Sequence, residues 1–260
     1  MIITGRIIAV HSYKGGTGKT LISINLAAIL AKQGKKGCLL DLDFRAPSLA
    51  MLLKVEAAGC WLNDYLNGTC EIDKTLVDLS EKIGNSGKLY VGLANPDTEA
   101  IREMSAKDRK WEMRALGRLL ALRNSLLGDK GLDYIIFDTS PGLQYSSINA
   151  IVSADLVLVA TTFDKSDVAG TKRMLRELYD LFEKKTDIVL NKVLDVPSKS
   201  GKEAMAKIKD TYQAPLLGII PCFCDILKAE GNAIFAQEKP DHPFSKILDE
   251  MAHRIDSNSA

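Results

Sequence analysis

With 260 residues, 46% of them hydrophobic and 26% charged, the chain has the composition of a folded protein with a large core and excludes a disordered one. A formal net charge of +1 excludes binding to nucleic acid or anionic lipid through a global field and leaves only local patches. The five cysteines (38, 60, 70, 222 and 224) are odd in number and irregularly spaced, which fits a reducing compartment better than a disulfide framework.

The apolar opening "MIITGRIIAVHSYKGG" runs into a glycine loop instead of a cleavage site, so it is read as a first strand and not a signal peptide. No run approaches the roughly 18 apolar residues of a spanning helix, and a cytoplasmic protein is expected. Strands are predicted over 6–13, 37–42, 88–93, 132–138, 156–161, 186–191 and 215–221, several of them apolar on successive residues as in strands covered on both faces. Helices are predicted over 19–33, 102–127, 167–183, 202–212 and 243–255. Between 44 and 87 a crossover insertion holds a short helix, "CWLNDYLNG", ended by Gly68, and a small helical or irregular piece, "EIDKTLVDLS". The alternation predicts a three-layer α/β/α fold with a mostly parallel central sheet, in one domain over 1–260.

The stretch "HSYKGGTGKTLISIN" (11–25) joins the first strand to the first helix. Its glycines, Gly15, Gly16 and Gly18, let backbone amides turn toward phosphate oxygens, and the helix opening at Lys19 adds its unsatisfied amides. Lys19 is expected to reach the terminal phosphates and the Thr20 hydroxyl to bind magnesium. Residues Gly15 to Leu21, with Thr17 among them, are expected to line the nucleotide. Lys14 lies before the turn, where a second cation would offset charge developing in phosphoryl transfer. Whether it folds inward or projects outward is open at this point.

Acids stand at strand ends, where ligands of open parallel sheets gather. In "LLDLDFRAP" Asp41 and Asp43 alternate and are candidates for water positioning and metal coordination. In "YIIFDTSPG" Asp138 ends a strand as an acid acting on magnesium, and Pro141-Gly142 makes a turn able to sense a terminal phosphate. In "IVLNK" the Asn191 amide suits either a purine edge or a turn.

"KGGTGKT", with "DLDFRAPSL" and "YIIFDTSPG", resembles the MinD/ParA family of deviant Walker-A P-loop ATPases, and the likeness covers nearly the whole chain. The resemblance implies a P-loop NTPase fold, ATP and Mg2+ as cofactors, and an ATP-dependent homodimer. By it, Lys14 reaches the phosphates of the other subunit, Asp43 is the switch I aspartate orienting water, Asp41 lies near magnesium and the loop lysine, and Asp138 is the Walker B aspartate beside switch II. It also assigns Asn191 to adenine contact and "GIIPCFCDILKAEG", with Pro221, to the segment closing over the base. Tyr13 departs from the family's glycine and Leu21 from its second threonine. The expected activity is hydrolysis of ATP to ADP and phosphate, with dimerisation as a switch that positions or partitions a protein, DNA or cellular complex. The alternatives are an ATP-controlled scaffold with little turnover and an Mrp-like metal-cluster carrier. For the latter "CFC" replaces the carriers' "CxxC", and Cys222 and Cys224 are read as small buried hydrophobes.

A regulatory or cargo protein is the expected partner. DNA is permitted by the resemblance, but the basic helix around Lys107, Arg109 and Lys110 reads mainly as a packed helix with Trp111 inward, and "PSKSGKEAMAKIK" lacks stacking aromatics. The last helix carries Phe244, Ile247, Leu248, Met251 and Ile255 near one face, which predicts packing on the core and no stable membrane association. Asn149 and Asp155 are read as structural hydrogen-bonding residues.

Overall fold

In strand β1 (Arg6–His11), Ile7 and Ala9 pack into one apolar layer while Ile8 and Val10 pack into the other. This two-residue alternation with no polar face is why the strands read as continuous apolar runs. The computed structural model describes residues 3–84, 86–194, 208, 210–228 and 234–257. The other strands are β2 (Lys36–Leu42), β3 (Leu76–Asp78), β4 (Lys88–Gly92), β5 (Tyr134–Thr139), β6 (Leu156–Thr161), β7 (Thr186–Val193) and β8 (Leu216–Pro221). They form one sheet in the order β3-β4-β2-β5-β1-β6-β7-β8. Among the described residues only the β3–β4 pairing is antiparallel.

All seven expected strands are present within two residues at each end, and the fold is the expected three-layer α/β/α arrangement. One layer holds α1 (Lys19–Lys32) and the C-terminal helix Pro243–Ser257. Helix α1 has no polar face because the sheet lies on one side and the C-terminal helix on the other; Ile22 through Ala31 are all buried. In the C-terminal helix Phe244, Leu248, Met251 and Ile255 are buried, as expected for a core-packing helix. No helix among the described residues is long and apolar enough to cross a membrane.

The opposite layer departs from expectation in one place. The helix predicted over 102–127 is two helices, α4 (Thr98–Ser105) and α5 (Arg109–Leu122), followed by a π-helical stretch Arg123–Asp129. The break arises because the Asp108 carboxylate accepts the Trp111 amide at 2.7 Å, a side-chain cap that starts a new helix. Trp111 is buried and donates its ring N–H to Asn67 Oδ1 at 2.8 Å. Helix α6 (Tyr145–Ser153) and α7 (Lys165–Met174), which continues as a π-helical turn Leu175–Tyr179, complete this layer. Asn149 of α6 donates to the Glu112 carbonyl and carboxylate, and Asp155 accepts the Ile7 amide, so both are structural.

Within the insertion, the short helix is Leu62–Asn67, ended by Gly68 at φ 83. The piece read as helical or irregular is a 3-10 turn, Ile72–Thr75, followed by β3, whose three residues are too few to leave an alternation signal. Cys60 and Cys70 flank the short helix and are disulfide-bonded with Cα atoms 6.7 Å apart, which corrects the disulfide-free reading. Count and spacing could not reveal the pair, because the reversal after Gly68 brings the two ends together. Cys222 is half-buried and Cys224 exposed, so the reading of both as buried hydrophobes is also corrected. Of the helix predicted over 202–212 only residues 208 and 210–212 are described, and of the basic stretch 197–209 only residue 208; residues 229–231 of the base-closing segment also lie outside the described residues.

Candidate nucleotide site

Strands β1, β2, β5, β6 and β7 end along one edge of the sheet, and β1 lies between β5 and β6, so the loop after β1 opens at the centre of that edge. Gly16 and Gly18 of this loop hold φ of 77° and 94°, which side-chain-bearing residues avoid. Gly18 is also the N-cap of α1, so the free amides of the first turn face the loop. Lys19 is 7% exposed, and burial lowers its pKa, partly opposed by Asp138, Asp43 and Asp167. A cation desolvated to this extent gains most from an anion brought close to it.

Asp138 at the end of β5 is buried, and burial pushes its carboxyl up to about 6 against the Thr20 hydroxyl, the Lys19 charge and the Ser23 hydroxyl. Ser23 Oγ donates to Asp138 Oδ1 at 3.0 Å. A carboxylate held short of full ionisation beside a hydroxyl pair is a site that a divalent cation would complete. Thr17 is buried, and its hydroxyl oxygen has no partner among the described residues. Buried lysine, positive-φ glycines, the Thr20 hydroxyl and Asp138 together fit a magnesium nucleotide.

The segments that follow β2 and β5 meet through Asp43. Ser140 Oγ donates to Asp43 Oδ1 at 2.8 Å, and the Ala46 amide donates to the same oxygen at 3.2 Å. Asp41, expected at the metal, lies opposite Asp138 on the neighbouring strand. It accepts the amides of Asp43, Ser48 and Leu49 at 3.1, 3.3 and 3.3 Å and so caps helix Leu49–Leu53. Burial and the neighbouring Asp138 raise its pKa well above the ordinary range. Leu21 turns its side chain into the apolar layer, leaving only its backbone to the loop.

Lys14 points away from its own loop. Its ammonium is held by Asp164 Oδ1 at 2.9 Å and Ser166 Oγ at 2.5 Å, at the start of α7. Both partners of the ion pair are about half exposed, so solvent screens the contact and it opens readily. Tyr13 lies beside it with its ring against Gly170 of α7, where an added Cβ would stand 2.0 Å from Tyr13 Cε1. The missing side chain at 170 makes room for the bulky residue in the loop.

Asn191 sits over the loop, donating to the Thr17 carbonyl at 2.7 Å, while its own oxygen accepts the Lys192 amide at 2.9 Å. Lys192 Nζ donates to the Gly16 carbonyl at 2.7 Å. Pro221 ends β8 opposite Val193, next to this pair. The structure thus gathers Lys19, Thr20, Asp43, Asp138 and Asn191 around one loop, sets Asp41 opposite Asp138 on the neighbouring strand, and directs Lys14 outward.

Sequence reasoning missed Asp164, Ser166, Asp167, Ser140, Lys192 and the buried His11. The run "DKSD" after β6 carried a signal, since Asp164 accepts the Ser166 and Asp167 amides as an N-cap. Asp167 is buried, accepts from Thr161 and Thr162 on one oxygen, and leaves the other unpartnered among the described residues.

The AAA domain family matches residues 5–196. MinD, the septum site-determining protein of Thermotoga maritima, is 29% identical over 96% of this chain and 88% of its own length. MinD of Synechocystis sp. is 32% identical over 92% of this chain and 85% of its own. The fold matches that of MinD from Pyrococcus horikoshii complexed with Mg-ADP at a TM-score of 0.78, with 24% identity and 98% of each chain covered. Phosphate loop, switch acids, sheet order and these relatives agree, and the chain belongs to the MinD/ParA family of deviant Walker-A P-loop ATPases.

Proposed function

We propose that this chain hydrolyses ATP to ADP and phosphate, and that two copies pair around ATP as a switch that positions or partitions a cargo. The observation carrying the reading is the placement of the two lysines. Lys19 is buried at the loop with no ion pair among the described residues, whereas Lys14 projects outward on a weak tether. A cation already at its own phosphates would serve one subunit, while one projecting from the rim is placed to serve a second. The relative complexed with Mg-ADP supports nucleotide and magnesium as ligands.

Exposed apolar side chains stand in the segments next to the Lys14–Asp164 pair. Tyr13, Leu143, Tyr145 and Phe163 are all exposed, from the loop, the turn after switch II and the segment before α7. Exposed aromatic and aliphatic side chains on several converging segments are an economical surface for a second copy.

In the reaction, Lys19 and the loop amides hold the phosphates, and Asp43, already linked to switch II through Ser140, orients the attacking water. Thr20 and Asp138 would hold magnesium, which supplies positive charge against the phosphate oxygens. Lys14 from the opposite copy leaves Asp164 and completes the site. Asn191 and Pro221 face the base. Loss of the terminal phosphate releases the switches and with them the pair. Cargo recognition belongs to the paired state, and a protein partner fits the apolar rim better than DNA fits the near-neutral chain.

The test is ATPase rate per subunit against protein concentration, with mass measured in ATP and in ADP. Specific activity should rise with concentration and level off where the mass in ATP doubles, with ADP giving single copies. A rate per subunit independent of concentration, with one mass throughout, contradicts the reading.

A further inference from the structure

The imidazole of His11 has no part in the reaction just described, yet it is fully buried at the end of β1, one residue before the loop segment begins to turn. Strand alternation places it on the side of Ile7 and Ala9, facing the α5–α7 layer and away from α1. Both ring nitrogens are engaged. Nε2 lies 2.9 Å from the Gly142 carbonyl in switch II, and Nδ1 is hydrogen-bonded to the Tyr179 hydroxyl.

The tautomer follows from the partners. A carbonyl can only accept, so Nε2 carries the proton and donates to Gly142, and Nδ1 accepts from the Tyr179 O–H. Burial lowers the pKa of His11 to about 3, which keeps the ring neutral and this donor–acceptor order intact. Gly142 is tied a second time, because its amide donates to the Ser12 carbonyl at 2.8 Å. The switch II turn, held at φ 76° by Gly142, is therefore pinned to the end of β1 at both its amide and its carbonyl.

Tyr179 closes the π-helical turn that continues α7, and the other end of α7 carries Asp164 and Ser166, which hold Lys14. One ring thus joins the turn that faces the terminal phosphate to the helix that holds the pairing lysine. A buried, fully satisfied chain of this kind has few alternative arrangements, so a shift at one end is passed on instead of absorbed.

We propose that His11 is a positioning residue for ATP turnover, linking switch II to α7 through its Nε2–H bond to Gly142 and its Nδ1 bond to Tyr179. It touches neither nucleotide nor metal. The inference rests on the ATPase reading above. It predicts a particular split: loss of the link slows turnover and pairing and leaves nucleotide capture by the loop nearly intact.

The variants His11→Gln, His11→Asn and Tyr179→Phe separate the two bonds. A glutamine amide reaches the Nε2 position and still donates to Gly142, whereas an asparagine amide reaches only the Nδ1 position. His11→Asn should lower kcat about tenfold or more with ADP affinity within about twofold of the wild type. His11→Gln should recover most of the turnover, and Tyr179→Phe should fall between them. Equal losses in His11→Asn and His11→Gln, or turnover unchanged in His11→Asn, overturn the proposal.

A measurement on the unaltered protein keeps the idea testable if the variants fold poorly. Nitrogen-15 NMR of the histidines should show one ring protonated only at Nε2, with a slowly exchanging proton, from pH 7 down to 5. If the ring assigned to His11 titrates near 6.5, or carries its proton at Nδ1, the proposal is also overturned. If the wild type hydrolyses no ATP while this NMR signature is present, the fault lies in the ATPase reading and not in the hydrogen-bond link.

Discussion

An Asp43→Ala variant is expected to lose ATP turnover by about two to three orders of magnitude while still pairing in ATP. The asymmetry comes from where Asp43 stands. It lies just past the end of β2, is half-buried, and makes its bonds to Ser140 Oγ and the Ala46 amide, with no part in holding the phosphate loop. Removing it takes away a carboxylate that orients water and frees Ser140, but leaves Lys19, the loop glycines and Asp138 where they are. The checks are kcat, ATP affinity and mass in ATP. Retention of more than about a tenth of the wild-type kcat contradicts the role given to Asp43.

Asp138→Asn is expected to abolish magnesium-dependent turnover and, at pH 7 without nucleotide, to make the protein more stable than the wild type. Burial raises the Asp138 carboxyl from 3.8 to about 6. The folded state therefore binds more protons than the unfolded state between those values, and stability falls as pH rises through that window. The accumulated cost at pH 7 is about 3 kcal/mol, at roughly 1.4 kcal/mol per unit. An amide in the same place carries no charge and can still accept from Ser23 through its oxygen, so most of that cost is relieved. Denaturant unfolding at pH 7 and at pH 4 is the measurement. The variant should gain about 1 to 3 kcal/mol at pH 7 and little at pH 4, where the wild-type group is protonated in the folded state. A variant less stable at pH 7 would show that the carboxylate is satisfied without a cation.

The parts of the site that could be read from sequence are those where local chain geometry and chemistry coincide. Gly16, Gly18, Lys19 and Thr20 lie within five residues, between an apolar strand and an apolar helix, so loop and function are written in one short window. Asp138 was legible because it follows four apolar residues, Tyr134 to Phe137, near the end of its strand. Asp41 carries a similar pattern, and its oxygens accept the amides of residues 43, 48 and 49, a turn whose closure left no periodic signal. The Lys14 tether was out of reach, since Asp164 is 150 positions away and meets it only because β6 lies next to β1. The Cys60–Cys70 pairing and the three-residue β3 were hidden for the same reason, being set by how the insertion folds back.

Mixing a Lys14→Ala variant with the Asp43→Ala variant tests the exchange of Lys14 between copies most directly. Each alone lacks one part of both sites and should be nearly inactive. In a mixed pair, the Lys14→Ala copy keeps its own Asp43 and receives Lys14 from its partner, so one complete site forms. Equal mixing makes half of the pairs mixed, and turnover should return to at most about a quarter of the wild-type rate. A mixture no more active than its two components, under conditions where mixed pairs are shown to form, would contradict a lysine acting across the interface.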